Sequence, residues 1–196
     1  MANRRKKGDA VLVHAAAGGV GLWLVRLLRV AGAGKIIATA STDDKLALAV
    51  EHGATHTVNY SRGSADWVAR VNEITADEGG VAAVFDGVGR DTFDGDLEVV
   101  ARKGTVVLFG TSSGPVPPLV LDRLVVKSIK VVRPQLFSYV TNKQELADYA
   151  GELLDLVRLK KVAVHLHKTY PLADARQVHK VSIYTSIRLL LWKQTG

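Results

Sequence analysis

Apolar residues in this chain come in short unbroken runs rather than in strict alternation. Val11–Val13, Ile36–Ala40, Val81–Phe85 and Thr105–Phe109 are such runs, and a run without polar alternation suits a strand covered on both faces, as in a parallel sheet. Between them the pattern becomes helical. Gly19 to about Ala33 is apolar nearly all round, with Arg26 and Arg29 marking one wet stripe. Ser41-Thr-Asp-Asp44 opens a second helix to about His52, with Ser41 as N-cap and Asp44 at the third helical position, and Gly53 suits a left-handed cap. Thr55–Tyr60 reads as the third strand. Ala65–Ala76 follows as a helix with Val68, Val71 and Ile74 spaced three apart, ending near Gly79-Gly80, and a fourth helix spans about Asp91 to Ala101. The β-α alternation predicts right-handed crossovers and an α/β fold: an open, doubly wound, mostly parallel sheet with helices on both faces.

The second half of the pattern is sparser. Thr111–Pro118 is turn-rich and reads as a loop, because strand-like Ile129–Val132 follows soon after. Thr141 to about Lys160 is amphipathic, with Leu146, Ala150, Leu153 and Val157 on one face and Thr141 and Gln144 at capping-box spacing. Val162–Leu166 reads as a strand, Pro171 as the start of a short helix through Val178, and Arg188–Trp192 as a closing strand.

Composition narrows this outline. A length of 196 residues with 47% hydrophobic content supports one full core, so residues 1–196 are expected to form a single domain. The chain has no cysteine, which removes disulfides, thiolate nucleophiles and thiolate metal sites. Its net charge of +7 is spread out except at Arg4-Arg-Lys-Lys7, so no nucleic-acid partner is expected. The most apolar window, Ala10–Val25, is broken by His14 and glycines and is too short for a membrane span. With no secretory signal pattern in Met1–Lys7, a cytoplasmic location is expected.

The chemistry concentrates where the first strand meets the first helix. Ala16, Gly18 and Gly21 stand at the three places of a G-x-G-x-x-G turn, where small residues let the backbone approach a pyrophosphate at a helix N-terminus. A tight turn that binds nothing is the alternative. At the end of the second strand, where a site for NAD carries an acidic residue, the chain has Ser41, with Lys45 one turn on. A hydroxyl leaves room for a 2′-phosphate and a lysine neutralises it, so NADP is favoured over NAD. Ser41 as a helix cap and Lys45 as a solvated lysine is the competing reading, and Asp43 and Asp44 oppose a phosphate.

Taken together, Lys7-Gly-Asp9, Ala15–Gly21, Ala38–Thr42, Phe85-Asp-Gly-Val-Gly89, Leu108-Phe-Gly110, Ser113-Gly-Pro115, Arg133-Pro-Gln-Leu136 and Tyr170-Pro-Leu172 resemble the quinone oxidoreductases. These are the zeta-crystallin-like, zinc-free branch of the medium-chain dehydrogenase/reductase superfamily, with a Rossmann-type nucleotide domain. The resemblance, over about residues 7 to 180, implies NADPH as cofactor and a quinone or conjugated carbonyl as substrate. By position Gly18, Gly19, Val20 and Gly21 would meet the pyrophosphate, and Ser41, Lys45 and Tyr60 the adenosine phosphate. Leu108, Phe109, Gly110 and Thr111 would line the nicotinamide through backbone groups, with Val88 nearby. None is an acid or base for the reaction, so the resemblance assigns no catalytic side chain; the cofactor carries the chemistry. It also implies a homodimer through an edge strand, near Ile129–Val132 or Arg188–Trp192.

Two departures accompany it. Family members carry a GroES-like catalytic domain ahead of this region, which is expected to be absent from this chain. Val181–Leu191 replaces the family's acidic residue, Arg-Lys-Thr and Gly-Lys pair, keeping Arg188 near that place. The expected activity is NADPH-dependent quinone reduction, and the alternative is a catalytically silent fragment that binds NADPH or pairs with another subunit. Three other motifs read as accidental. Tyr139 and Lys143 have the spacing of a short-chain dehydrogenase dyad but fall in a loop, His165 and His167 lack a third metal ligand, and Gly32-Ala-Gly-Lys35 lacks the hydroxyl residue of a P-loop.

Overall fold

The computed structural model describes residues 8–62, 64–164, 166–176 and 189–193. Strands β1 (Ala10–Val13), β2 (Lys35–Ala40), β3 (His56–Asn59), β4 (Val81–Asp86), β5 (Val100–Leu108) and β6 (Lys130–Val132) form one sheet in the order β3-β2-β1-β4-β5-β6. Every pairing in it is parallel. The chain moves outward from β1 to β3, then returns to lay β4 on the other side of β1, which creates a topological switch point between β1 and β4.

Alternate residues of a strand point to opposite faces, and β1 shows how the sequence uses this. Leu12 joins Ile37, Val84 and Val106 with Trp67 and Val71 of α3 (Ser64–Ile74) and Phe93 and Leu97 of α4 (Phe93–Val99). Val11 and Val13 join Ile36, Ala38 and Phe85 with Val25 and Leu28 of α1 (Gly19–Val30) and Ala49 of α2 (Asp43–Glu51). Both faces are thus covered by helices, as the unbroken apolar runs require. Each such Val, Leu or Ile side chain withdrawn from water contributes about 1.5–3 kcal/mol.

Several expected boundaries move. The fourth helix stops at Val99 because Val100 is already extended, and β5 starts there, with its register against β4 shifted between Val81 and Ala83. Arg26 lies beneath the surface rather than on a wet stripe, its guanidinium 5.6 Å from the centre of the Trp23 ring, while Arg29 is exposed as expected. The second helix is capped by Thr42, whose hydroxyl accepts from the Lys45 amide at 3.4 Å, not by Ser41. Gly53 does take a positive φ, of 113°.

Beyond β5 stand two four-residue helices, α5 (Asp122–Val125), where no element was expected, and α6 (Leu136–Tyr139), which takes Tyr139 out of the expected loop. The long helix α7 (Lys143–Arg158) is capped one residue later than the Thr141–Gln144 reading. Asn142 accepts from the Glu145 amide at 3.0 Å, and the Glu145 carboxylate reaches back to the Thr141 amide at 2.7 Å. A carboxylate outcompetes the Gln144 amide for this place because the helix N-terminus carries positive potential. The expected strand at Val162–Leu166 starts only at Leu166, as β7 (Leu166–Pro171), because Lys160 turns at φ 55° and the Val162 amide folds back onto the Leu156 carbonyl. Pro171 ends that strand, and a short 3-10 turn, Leu172–Asp174, follows it. The closing strand, β8 (Leu189–Lys193), pairs with β7 in a separate two-stranded sheet rather than at the edge of the main one. Arg4–Lys7, His165, Arg188 and most of the Val181–Leu191 segment lie outside the described residues, as does the end of the helix expected through Val178.

Candidate functional site

The C-terminal ends of β1, β2, β3, β4 and β5 open on one edge of the sheet, and every sequence-predicted site residue follows one of those ends. At β1 the chain turns through Ala15, whose φ of 49° is left-handed, and the Gly18 amide closes the turn on the Ala15 carbonyl at 2.9 Å. Ala16 itself needs no special dihedral, so alanine serves where a glycine was expected; the strain sits one residue earlier. A Cβ on Gly21 would lie 2.4 Å from the Ala15 carbonyl oxygen and 2.7 Å from the Ala16 backbone. This glycine is therefore obligatory for α1 to pack on the turn. Helix α1 begins with Gly18 as cap, no side chain closing its amides, no acidic residue in its first turn, and Val20 exposed. Its positive end is open to an anion.

Ala40 and Asn59 are register partners on β2 and β3, so Ser41 and the 3-10 turn beginning at Tyr60 leave the sheet side by side. Because Thr42 caps α2, the Ser41 hydroxyl is free to accept from the Lys45 ammonium at 3.3 Å. Asp43, which opposes a phosphate in the sequence reading, has its carboxylate bound to the Asn59 side-chain amide at 3.1 Å. Tyr60 lines a cavity of about 210 Å³ with Trp67, Val88, Asp91 and Thr92, between the Ser41 corner and the β4 loop.

The β4 and β5 loops are knitted into one lip. The Asp86 carboxylate accepts from the amides of Val88 at 2.6 Å and Gly89 at 3.2 Å and from the Thr92 hydroxyl at 2.9 Å. Phe109 donates its amide to the Asp86 carbonyl at 2.8 Å, and Ser113 donates both its amide and its hydroxyl to the Val88 carbonyl at 2.9 Å. Gly87 and Gly110 are in close approach, since a Cβ on Gly110 would stand 2.7 Å from the Gly87 carbonyl oxygen. Leu108 points its side chain into the core, leaving its backbone at the lip, while Val88, Phe109, Gly110 and Thr111 are half-buried. Beyond Phe109 a second cavity of about 450 Å³ is lined by Arg133, Pro134, Gln135 and Leu136.

Beneath this edge lies a polar cluster that the sequence reading missed. His14, fully buried at the end of β1, contacts the Asp96 carboxylate at 2.8 Å through Nε2 and the Thr39 hydroxyl at 2.9 Å through Nδ1. Its ring meets Trp67 edge-on, with centroids 4.9 Å apart. Burial pulls the His14 pKa down, but the charge and hydrogen bond of Asp96, aided by Asp86, raise it overall. Burial pushes the Asp96 carboxyl up to about 6, with His14 opposing and Asp86 assisting. The available signal was a histidine inside an apolar strand, which needs a buried partner. Two decoys dissolve: Tyr139 ends α6 while Lys143 opens α7, both exposed, and Lys35 spends its ammonium on the Ile74 carbonyl and Glu78.

Residues 19–156 match the family model described as zinc-binding dehydrogenase. Quinone oxidoreductase 1 of Escherichia coli is 40% identical over 179 residues, covering 90% of this chain and 54% of that protein. A 2-haloacrylate reductase of Burkholderia is 37% identical, covering 89% of this chain and 52% of that protein. Among solved structures, E. coli quinone oxidoreductase in complex with NADPH superposes at a TM-score of 0.82 with 37% identity, over 95% of this chain and 58% of that one. This chain spans about half the length of these relatives. The zinc of the family's description finds no fitting donor set here: cysteine is absent from the sequence, and the described residues assemble no group of three His, Asp or Glu ligands. With the doubly wound sheet, the glycine turn and the family match over residues 19–156, the chain belongs to the zinc-binding dehydrogenase family.

Proposed function

We propose that this chain is the nucleotide-binding part of an NADPH-dependent quinone oxidoreductase, a single Rossmann-type domain that works against a second, GroES-like wall. What supports the reading is that three groups of residues line one crevice at the C-terminal edge of the sheet, each suited to a different part of the cofactor. The open N-terminus of α1 at Gly18–Gly21 faces a pyrophosphate, Ser41 with Lys45 and Tyr60 face the 2′-phosphate, and the knitted lip of Val88 and Leu108–Thr111 faces the nicotinamide. NADPH, when bound, supplies the hydride. The residues would hold and orient it: backbone amides would neutralise phosphate charge without a mobile side chain, and the Asp86-tied lip would line the nicotinamide. The acceptor is a quinone or conjugated carbonyl, the haloacrylate for which the Burkholderia relative is named being one such compound. A homodimer would pair the sheets through β6, the edge strand, since β8 lies outside the main sheet. The protein would act in the cytoplasm and without zinc.

A silent NADPH-binding fragment is the second reading, favoured by the exposed apolar side chains of α7, Leu146 and Leu154 among them. Two assays on one sample separate the readings. NADPH fluorescence titration reports binding, and loss of reduced-nicotinamide absorbance with an ortho-quinone reports turnover. Binding with turnover supports the enzyme; binding alone leaves the silent fragment; neither overturns the cofactor assignment. Lys45→Ala is expected to weaken NADPH roughly tenfold, about 1.4 kcal/mol, with little effect on NADH.

A further inference from the structure

His14 directly follows β1, Asp96 lies in α4 and Asp86 ends β4, and each is buried. Asp86 is fully engaged by donors: two backbone amides and the Thr92 hydroxyl. Asp96 is different. One oxygen takes the His14 Nε2 contact, while the other, Oδ2, is buried with no hydrogen-bond partner. Asp86, itself fully buried, lies close enough to help raise the Asp96 carboxyl above its ordinary value. Two buried carboxylates in that relation repel unless a proton stands between them or a cation paired with one of them offsets its charge. The other elements packed around the cluster contribute Thr39 from β2 and Trp67 from α3, neither of which carries a charge. Among the groups that shift the Asp96 carboxyl, His14 is the one base.

We propose that His14, Asp96 and Asp86 share one proton as a unit, and that Asp96 is thereby a positioning residue for the nicotinamide lip. The proton resides on the imidazole or between the two carboxyls; moving it between these places changes no net charge. While it is present, Asp86 keeps its acceptor geometry toward the Val88 and Gly89 amides. When it is lost, two carboxylates face each other in a dry site, and Asp86 is pushed away from the amides it fixes. The nucleotide-side consequence rests on the function proposed above; the proton sharing does not.

Asp96→Asn separates the roles. Its carbonyl still accepts from His14, and its NH2 donates permanently to Asp86, imitating the proton without being able to lose it. Two readouts on the full chain test the idea. Side-chain nitrogen NMR follows the His14 ring, and hydrogen exchange follows the Val88 and Gly89 amides, from about pH 6 to about pH 9. In the unmodified chain His14 should titrate well above the ordinary histidine value, and exchange at Val88 and Gly89 should accelerate, by roughly tenfold beyond the intrinsic base dependence, as that proton leaves. In Asp96→Asn the ring should be neutral throughout and the extra acceleration absent. NADPH affinity should weaken with rising pH in the unmodified chain and stay level in the variant. An ordinary His14 titration, or the same exchange profile in both chains, overturns the proposal. Absence of NADPH binding in both, with the NMR and exchange results as expected, overturns only the nucleotide reading.

Discussion

Residues from β1 to β6 and residues from α6 to β8 are built on different terms. In the first stretch two apolar clusters fill both faces of the sheet, and all their members lie between Ala10 and Val131. In the second, no residue of α7 is buried, although its sequence is more amphipathic than those of α2 and α3, which pack on the sheet. Leu154 is 65% exposed and Phe137, on α6, is 81% exposed. An apolar stripe establishes that a helix has a face to cover. What covers it is a separate fact, and for α7 the sheet does not. The nucleotide site proposed here draws all its residues from the first stretch.

The contrast predicts unequal responses to mutation. Trp67→Ala empties the space between α3, α4 and the His14 ring and should cost about 3–5 kcal/mol in urea denaturation, whereas Leu154→Ala should stay within about 0.5 kcal/mol. Equal losses would mean that α7 is packed in solution. Gly21→Val comes next, at about 3 kcal/mol, because the contacts a Cβ meets are backbone atoms that cannot swing aside. It should also abolish NADPH binding.

A pH series is the third probe, and it acts on the first stretch alone. The folded Asp96 carboxyl titrates near about 6, above its unfolded value of 3.8, so the folded chain binds the extra proton within that window. Stability therefore falls as pH rises through it. His14, raised from 6.5, continues the trend: its contribution is full below its unfolded value and disappears as pH rises through its folded one. Denaturation midpoints should decline from about pH 4 upward, and Asp96→Asn should flatten the lower part of that decline. The smallest effect belongs to α7. Gly151 sits in its interior with open space where a Cβ would go, so Gly151→Ala should stabilise that helix by about 1 kcal/mol while leaving NADPH affinity unchanged. Helix content by circular dichroism checks the first part.

The sheet and its crevice were legible because their signals are local. Unbroken runs such as Ile36–Ala40 mark doubly covered strands, and the small residues at Ala16, Gly18 and Gly21 mark the turn they require. Boundaries shifted where neighbouring residues compete for one role, as Ser41 and Thr42 do for the α2 cap and Gln144 and Glu145 do at α7. Four-residue helices such as α5 are too short to show a period. The buried triad was not legible, since His14 and Asp96 are separated by 82 positions and neither shows from its own surroundings which partner the fold will supply. Arg26 was misplaced for a related reason. Its long side chain lies over Trp23, so its charge in the sequence did not reveal its burial.

The stretch from β1 to β6 is proposed to form an NADPH crevice with its own fixed stations. Hydrogen exchange of the full chain with and without NADPH tests it most directly. The account predicts added protection at the Gly19–Gly21 amides, at Ser41–Lys45 and at Val88–Gly89 together, with α7 unchanged. Protection confined to α7 or β7, or none anywhere at saturating NADPH, would contradict it.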